Sequence, residues 1–213
     1  MSLGPPILCA VDFSDASAGA LRHAAALAGH FGTRLIVLTV EDPLLTEAAD
    51  LGLGITWTEE ATKQELALFV ASTFGPTSTL PTTCEYDVAL GKPAPEILRV
   101  SAERGCALVV MSTQGLTGAR KLFFGSTTER VLRETTIPVL LTPPQASGPV
   151  SMADAKALVR RILVPIDLSP TSTPHLEMAT RVATTLDLPM IVAHVIEPVK
   201  TRLAARLQQA GLQ

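Results

Sequence analysis

Short apolar runs separated by segments with a helical pattern constrain this chain more than any other feature of its sequence. The five runs are Ile7–Val11, Leu35–Val40, Cys84–Leu90, Ala107–Met111 and Ile137–Leu141. Such runs, without polar alternation, are typical of parallel strands buried on both faces. Cys84–Leu90 is the least apolar and is expected near a sheet edge. We therefore predict an α/β fold with an open, mostly parallel, doubly wound sheet of five strands.

The segments between these runs show helix signals. Ser14 and Asp15 offer an N-cap, and Gly32 is placed to end the first helix. Its apolar face comprises Leu21, Ala24, Ala28 and Phe31. Further helices are predicted at Glu59–Phe74, Pro95–Glu103 and Thr127–Glu134, and Glu41–Thr58 is interpreted as a mobile loop or lid. Ligands of such sheets bind beyond the carboxyl ends of the strands, where the strand order reverses.

The start of the chain recurs later in the sequence. Ile7–Ser14 matches Ile162–Ser169, and the offset of 155 residues continues to the pair Pro43 and Pro198. We predict a first domain over residues 1–145, a linker over 146–160 and an incomplete second copy over 161–213. The elements expected in that copy are two strands, Ile162–Ile166 and Met190–Val195, each followed by a helix, the last over Thr201–Leu212.

Composition excludes several classes of protein. Apolar residues make up 47% and charged residues 17%, which excludes a disordered chain. A net charge of -3 indicates neither nucleic acid nor acidic membranes as partners. No apolar run reaches the roughly 18 residues of a membrane span, and the N-terminus does not resemble a signal peptide. The three cysteines form no CxxC pair and are expected to be buried reduced thiols, so a cytoplasmic location is predicted.

A glycine-bearing loop after the fourth run is the strongest candidate for chemistry. Ser112 is followed by Gly115, nine further residues, Gly125 and then Ser126, which opens a helix. Glycine lets the backbone approach a ligand, and free N–H groups at a helix start favour phosphate. An alternative interpretation is a capping box formed by Ser126 and Glu129, and the two interpretations are compatible.

These residues resemble the universal stress protein family. The resemblance rests on Val11-Asp12-x-Ser14, on Leu108–Ser112 with Gly125-Ser126, and on Val131–Arg133 with Ile137–Leu141. It covers Ile7–Thr142 and, for the second copy, Ile162 to about Pro198. It implies a Rossmann-like fold of the adenine nucleotide alpha-hydrolase type.

In the ATP-binding branch of that family, the loop begins with a glycine where this chain has Ser112. The resemblance implies that Asp12 accepts hydrogen bonds from ribose and that Arg120 and Lys121 either contact phosphate or are solvated. The adenine would be framed by Ala10, Val11 and Val40. The ribose and phosphates would be lined by Met111, Ser112, Gln114, Gly115, Gly125, Ser126, Thr127 and Thr128. A turn or capping role is the alternative for Asp12.

The expected function is that of a tandem-type universal stress protein. It would bind ATP, ADP or AMP, with Mg²⁺ accompanying the nucleotide, and regulate a stress response through conformation or association. We expect no enzyme, because no general base or nucleophile is recognisable, although a slow ATPase activity stays open. The alternative is a nucleotide-free interaction module. By resemblance, Ile137–Leu141 is an edge strand that forms a homodimer.

Overall fold

The computed structural model describes residues 4–44, 46–47, 57–75, 82–114, 124–144, 148–149 and 159–196. The chain divides into two compact units, residues 1–155 and 156–213. The boundary between them falls within the predicted linker. The predicted lid over Glu41–Thr58 and the predicted helix over Thr201–Leu212 lie mostly or wholly outside the described residues.

The first unit is a five-stranded parallel sheet in the order β3-β2-β1-β4-β5. The strands are β1 Gly4–Ala10, β2 Thr33–Glu41, β3 Cys84–Leu90, β4 Leu108–Ser112 and β5 Val139–Thr142. The edge positions expected for the third and fifth strands are confirmed. The fifth strand begins at Val139 and not at Ile137, because Pro138 has no N–H to donate.

Helices cover both faces of this sheet. They are α1 Asp15–Phe31, α2 Glu59–Phe74, α3 Pro93–Glu103 and α4 Ser126–Glu134. One core cluster lies between the sheet and α1 with α2, and another lies between the sheet and α3 with α4. As predicted, Ser14 caps α1, and Gly32 ends it in the left-handed conformation with φ 60°. The α3 helix begins two residues earlier than predicted, with Pro93 in its first turn.

The second unit repeats the opening of the first. It contains β6 Ile162–Ile166, α5 Ser172–Leu186 and β7 Met190–His194, with β6 and β7 parallel. The predicted two strands and the helix between them are therefore confirmed, with the second strand ending at His194, one residue earlier than predicted. Among the described helices, none is long and apolar enough to cross a membrane.

Candidate functional site

The candidate site lies where the strand order reverses, between β1 and β4. The chain continues from β1 towards β2 and β3 on one side, while β4 and β5 lie on the other. Asp12 follows β1, Ser112 ends β4, and Gly125 precedes α4. The topology thus brings three separate parts of the sequence to the crevice in which parallel α/β sheets bind ligands.

In the turn after β1, hydrogen bonds from Ser14 hold the Asp12 carboxylate in place. Its Oδ1 accepts hydrogen bonds from the Ser14 N–H at 3.3 Å and the Ser14 hydroxyl at 2.5 Å. Phe13, which lies between Asp12 and Ser14 in the chain, has φ 62°. Its ring packs edge-on against Phe69 of α2, with 5.5 Å between the ring centroids. The turn role that the sequence offered for Asp12 is therefore present, and it fixes the orientation of the carboxylate.

The second unit contains the same turn. Oδ1 of Asp167 accepts hydrogen bonds from the Ser169 N–H at 2.9 Å and the Ser172 hydroxyl at 2.8 Å. Hydrogen bonds from Ser169 and then Ser172 hold the pKa of Asp167 well below its usual range. Leu168, like Phe13, has φ 62°. In both turns the aspartate carboxylate accepts the N–H of the serine two residues later, whereas the second bond comes from the Ser14 hydroxyl in the first unit and from the Ser172 hydroxyl in the second.

The start of α4 differs from the starts of α1 and α2. The side chains of Ser14 and Thr58 accept backbone N–H groups of α1 and α2, whereas the N-cap of α4 is Gly125, with no side-chain cap among the described residues. The N–H groups in the first turn of a helix have no partner within the helix. Together with the helix dipole, they make this end of α4 favourable for an anion.

The capping-box interpretation is therefore wrong. Ser126 is the first residue inside the helix and not its cap, and the Glu129 carboxylate pairs with Arg133 at 2.5 Å. The Glu129 N–H donates instead to the Gly125 carbonyl at 2.9 Å.

The fold does not require a glycine at position 125. Its φ of -61° and ψ of 155° are ordinary for any residue. A methyl group built there would lie 3.8 Å from the Thr113 carbonyl oxygen, which is normal van der Waals contact. Among the described residues, the missing side chain therefore leaves room at the helix start, as close approach by a ligand requires.

Backbone and hydroxyl contacts tie the end of β4 to its neighbours. The Gly125 N–H donates to the Thr113 carbonyl at 3.0 Å, and the Thr128 hydroxyl donates to the Ser112 carbonyl at 3.1 Å. The Gln114 N–H donates to the Ser112 hydroxyl at 3.3 Å. These bonds position the start of α4 directly beyond β4.

An apolar group on the α3–α4 face of the sheet extends the site towards β2. Ala10, Val40 and Met111 all belong to that core cluster or pack against it. Val11 instead belongs to the cluster on the α1–α2 face, and its N–H donates to the Leu38 carbonyl at 2.9 Å. The Val11 side chain is therefore separated from the other three, and only its backbone can face the same ligand.

Electrostatics differ between the two ends of the site. Burial, and then the nearby Glu65, raise the pKa of Glu41 at the end of β2. Proximity to these carboxyl groups disfavours an anion there, whereas the start of α4 favours one. A ligand with one apolar end and one anionic end would bind with its anion towards α4.

The remaining candidates divide into two groups. Gln114, Ser126, Thr127 and Thr128 lie at the end of β4 and the start of α4, as the resemblance implied. Gly115, Arg120 and Lys121 lie outside the described residues. The sequence did not predict the hydrogen bond from the Thr128 hydroxyl to the Ser112 carbonyl, because the two residues are 16 positions apart in the chain.

Cysteine and metal chemistry find no support in the part of the chain that the structure describes. The three thiols are free; burial raises the pKa of Cys84 and Cys106 to about 11 and raises that of Cys9 further. They are therefore protonated and poor nucleophiles at neutral pH. No group of three histidine, cysteine or acidic side chains is close enough to hold a metal ion within the described ranges.

Comparison with known proteins identifies the family. The model described as the universal stress protein family matches residues 5–143 and 159–211. Universal stress protein YxiE of Bacillus subtilis (strain 168) is 29% identical over 143 residues, covering 63% of this chain and 96% of that protein. The Thermus aquaticus universal stress protein in the QAH/OAS sulfhydrylase 3' region is 34% identical over 137 residues, with the same coverage.

Solved structures also match nearly the whole chain. A universal stress protein from Archaeoglobus fulgidus DSM 4304 is 20% identical, with a TM-score of 0.59, and the match covers 96% of this chain and 72% of that one. At this identity the match supports the fold alone.

Proposed function

Because this chain belongs to the universal stress protein family, we propose that its first unit binds ATP, ADP or AMP and acts in a stress response through conformation or association. The observation that carries the proposal is the start of α4. Its N-cap is a glycine that the backbone conformation does not require, no described side chain caps the helix, and the helix begins at the reversal point of the sheet. Such a position suits a phosphate group.

The other parts of the site match the rest of a nucleotide. Ala10, Val40 and Met111 share one face of the sheet and would contact the adenine, and Asp12, which follows β1, would accept a hydrogen bond from ribose. The carboxyl groups near β2 and the dipole of α4 favour an orientation with the phosphates at α4.

Mg²⁺ would be held mainly by phosphate oxygens and water, because no cluster of metal ligands occurs among the described residues. We do not propose that the chain hydrolyses the nucleotide. The roles of this chain's own residues are to bind the base and orient the ribose and phosphates.

A nucleotide-free interaction module is the second candidate function. It is favoured by β5, which forms one edge of the sheet and is only partly buried over Val139–Leu141. An edge strand has unpaired N–H and C=O groups that can pair with a second copy of the chain. In this alternative, association through β5 would not depend on any nucleotide.

Two measurements test nucleotide binding. Mass spectrometry of material released from freshly purified protein identifies any co-purified nucleotide. Calorimetric titration with ATP and AMP should then give micromolar to submillimolar binding, roughly -5 to -8 kcal/mol. Absence of heat and of thermal stabilisation with every adenine nucleotide would reject binding and leave the interaction module. Sedimentation with and without ATP then shows whether association depends on the ligand.

A further inference from the structure

The Thr128 side chain is buried between α4 and the sheet. Thr128 is 3% exposed, and its hydroxyl donates to the Ser112 carbonyl at 3.1 Å. It is the third residue of α4, and Val131, one turn later on the same side of the helix, is fully buried in the core cluster on the α3–α4 face. The proton of the Thr128 hydroxyl is therefore used within the fold, on the main chain of β4.

The carbonyl that accepts this hydrogen bond faces β1. The Thr113 N–H donates to the Thr142 carbonyl on the β5 side of β4, at 3.0 Å. Along a strand, the N–H and C=O groups of successive residues point to opposite neighbouring strands. The Ser112 carbonyl, one residue earlier, therefore points away from β5 and towards β1.

β1 leaves the sheet before it reaches that carbonyl. A continued strand would offer the Asp12 N–H to it, but in the turn after β1 this N–H donates to the Ser17 hydroxyl at 3.4 Å. The Thr128 hydroxyl takes the position of the missing strand donor, at the point where the strand order reverses. This bond holds the first turn of α4 beside the end of β1, where Asp12 lies.

The position of that first turn determines where its N–H groups point. The helix begins at Ser126, and no described side chain caps it. An anion bound there depends on N–H groups that are already aimed at it, because ordering them on binding lowers affinity. Without the Thr128 hydroxyl, the hydrogen bond described between the helix start and the end of β4 is the one from the Gly125 N–H to the Thr113 carbonyl.

We infer that Thr128 is a positioning residue for the phosphate part of the nucleotide, acting through its hydrogen bond to the Ser112 carbonyl. This inference rests on the proposed function. It assigns part of the affinity for phosphate to a buried hydroxyl that does not itself bind the ligand.

The test compares wild type with Thr128→Val and Thr128→Ser by calorimetry with ATP and with adenosine. Valine has nearly the shape of threonine but no hydroxyl, so Thr128→Val should weaken ATP binding about tenfold and adenosine binding by less than about twofold. Thr128→Ser keeps the hydroxyl and should bind ATP within about twofold of wild type.

Thr73→Val is the matched control. Thr73 is also a buried threonine, and its hydroxyl donates to the Phe69 carbonyl at 2.8 Å, in the last turn of α2. Both valine variants should melt about 2–4 °C below wild type without ligand, because each loses one hydrogen bond within the fold. Thr73→Val should bind ATP as wild type does, since the bond that it loses is remote from the start of α4.

Amide hydrogen exchange supplies a measurement that needs no ligand. The Gly125 N–H is bonded to the Thr113 carbonyl at 3.0 Å. If the Thr128 hydroxyl holds the helix start, this N–H should exchange about tenfold faster in Thr128→Val than in wild type. In Thr73→Val its exchange should be unchanged.

Several outcomes would overturn the inference. Thr128→Val with unchanged ATP affinity, unchanged exchange of the Gly125 N–H, or equal losses for ATP and adenosine would each do so, as would Thr128→Ser that binds ATP no better than Thr128→Val. If wild type binds no adenine nucleotide, the proposed function fails, and inorganic tripolyphosphate becomes the probe in thermal melting. Stabilisation of wild type and Thr128→Ser but not of Thr128→Val would then retain the positioning role, and equal stabilisation of all three, or of none, would reject it.

Discussion

Replacing Gly125 with serine should change the stability of the ligand-free protein and its affinity for nucleotide in opposite directions. Gly125 has the extended conformation of an N-cap, with φ -61° and ψ 155°, close to φ -78° and ψ 158° at Ser14. At Ser14 the side chain accepts the Ser17 N–H at 3.1 Å. Because the backbone is already suitable and a Cβ would make only an ordinary contact with the described residues, the serine of Gly125→Ser should cap α4 in the same way.

The stability change can be estimated from two contributions. Serine is favoured over glycine at an N-cap by a few tenths of a kcal/mol. Restricting the unfolded chain adds about 0.4–1 kcal/mol, since the conformation at Gly125 is allowed to any residue. The ligand-free protein should therefore gain about 0.5–1.5 kcal/mol in free energy of unfolding, measured by urea denaturation.

Nucleotide affinity should change in the opposite direction. The new hydroxyl would accept an N–H group in the first turn of α4 that the phosphate otherwise uses. Loss of a hydrogen bond to a charged group costs about 1.5–3 kcal/mol, so ATP binding should weaken tenfold or more in calorimetry. Gly125→Ala adds volume without a cap acceptor, so its affinity shows how much of the loss is steric.

Lys92→Ser is the matched control for capping itself. Lys92 precedes α3, which also lacks a side-chain cap among the described residues, and it follows β3 at the far edge of the sheet. ATP affinity should not change in this variant. If Gly125→Ser stabilises the protein and binds ATP as tightly as wild type, the start of α4 is not the phosphate site and the reasoning is refuted.

Three further predictions concern assembly, stoichiometry and stability. Val139→Lys should convert a homodimer formed through β5 into monomers in sedimentation, because it places charge in the seam, and a wild-type monomer would contradict the pairing. Calorimetry should give no more than one nucleotide per chain, since no second glycine loop follows Asp167; two equivalent sites would contradict this. Gly148→Ala should destabilise the first unit by about 1–3 kcal/mol in urea denaturation, because φ is +75° and the new methyl would lie 2.7 Å from the Gly19 carbonyl oxygen. Gly105 has φ +60°, and no described atom lies within 4 Å of a methyl group built there. Gly105→Ala should therefore lower the free energy of unfolding by only about 1 kcal/mol. Equal losses in the two variants would contradict the predicted clash with the Gly19 carbonyl.

Much of the fold followed from local patterns in the sequence. Cys84–Leu90 and Glu59–Phe74 have the predicted bounds, because apolar run length and helical periodicity depend on residues near in sequence. Gly32 ends α1 as expected, since glycine adopts the left-handed conformation easily. The offset of 155 residues matched Asp167 with Asp12, and in the structure each carboxylate accepts the N–H of the serine two residues later, which is a local contact.

The geometry of the candidate site depended on contacts that no local pattern contains. Ser126 and Glu129 have the spacing of a capping box, yet the Gly125 N–H bonds to the Thr113 carbonyl and makes Gly125 the cap. Val11 and Ala10 are neighbours in sequence, but alternation along β1 places their side chains in opposite core clusters.

The sequence by itself determined the α/β class, the repeated Asp-x-Ser turn and the membership of residues in strands and helices, because these depend on local patterns. The tertiary structure alone decided which strand ends meet. Ser112 and Thr142 are 30 positions apart in the chain and adjacent only through the register of β4 with β5. Strand pairing brings distant residues together, so the meeting of Asp12, the end of β4 and the start of α4 could be recognised only once the sheet was formed.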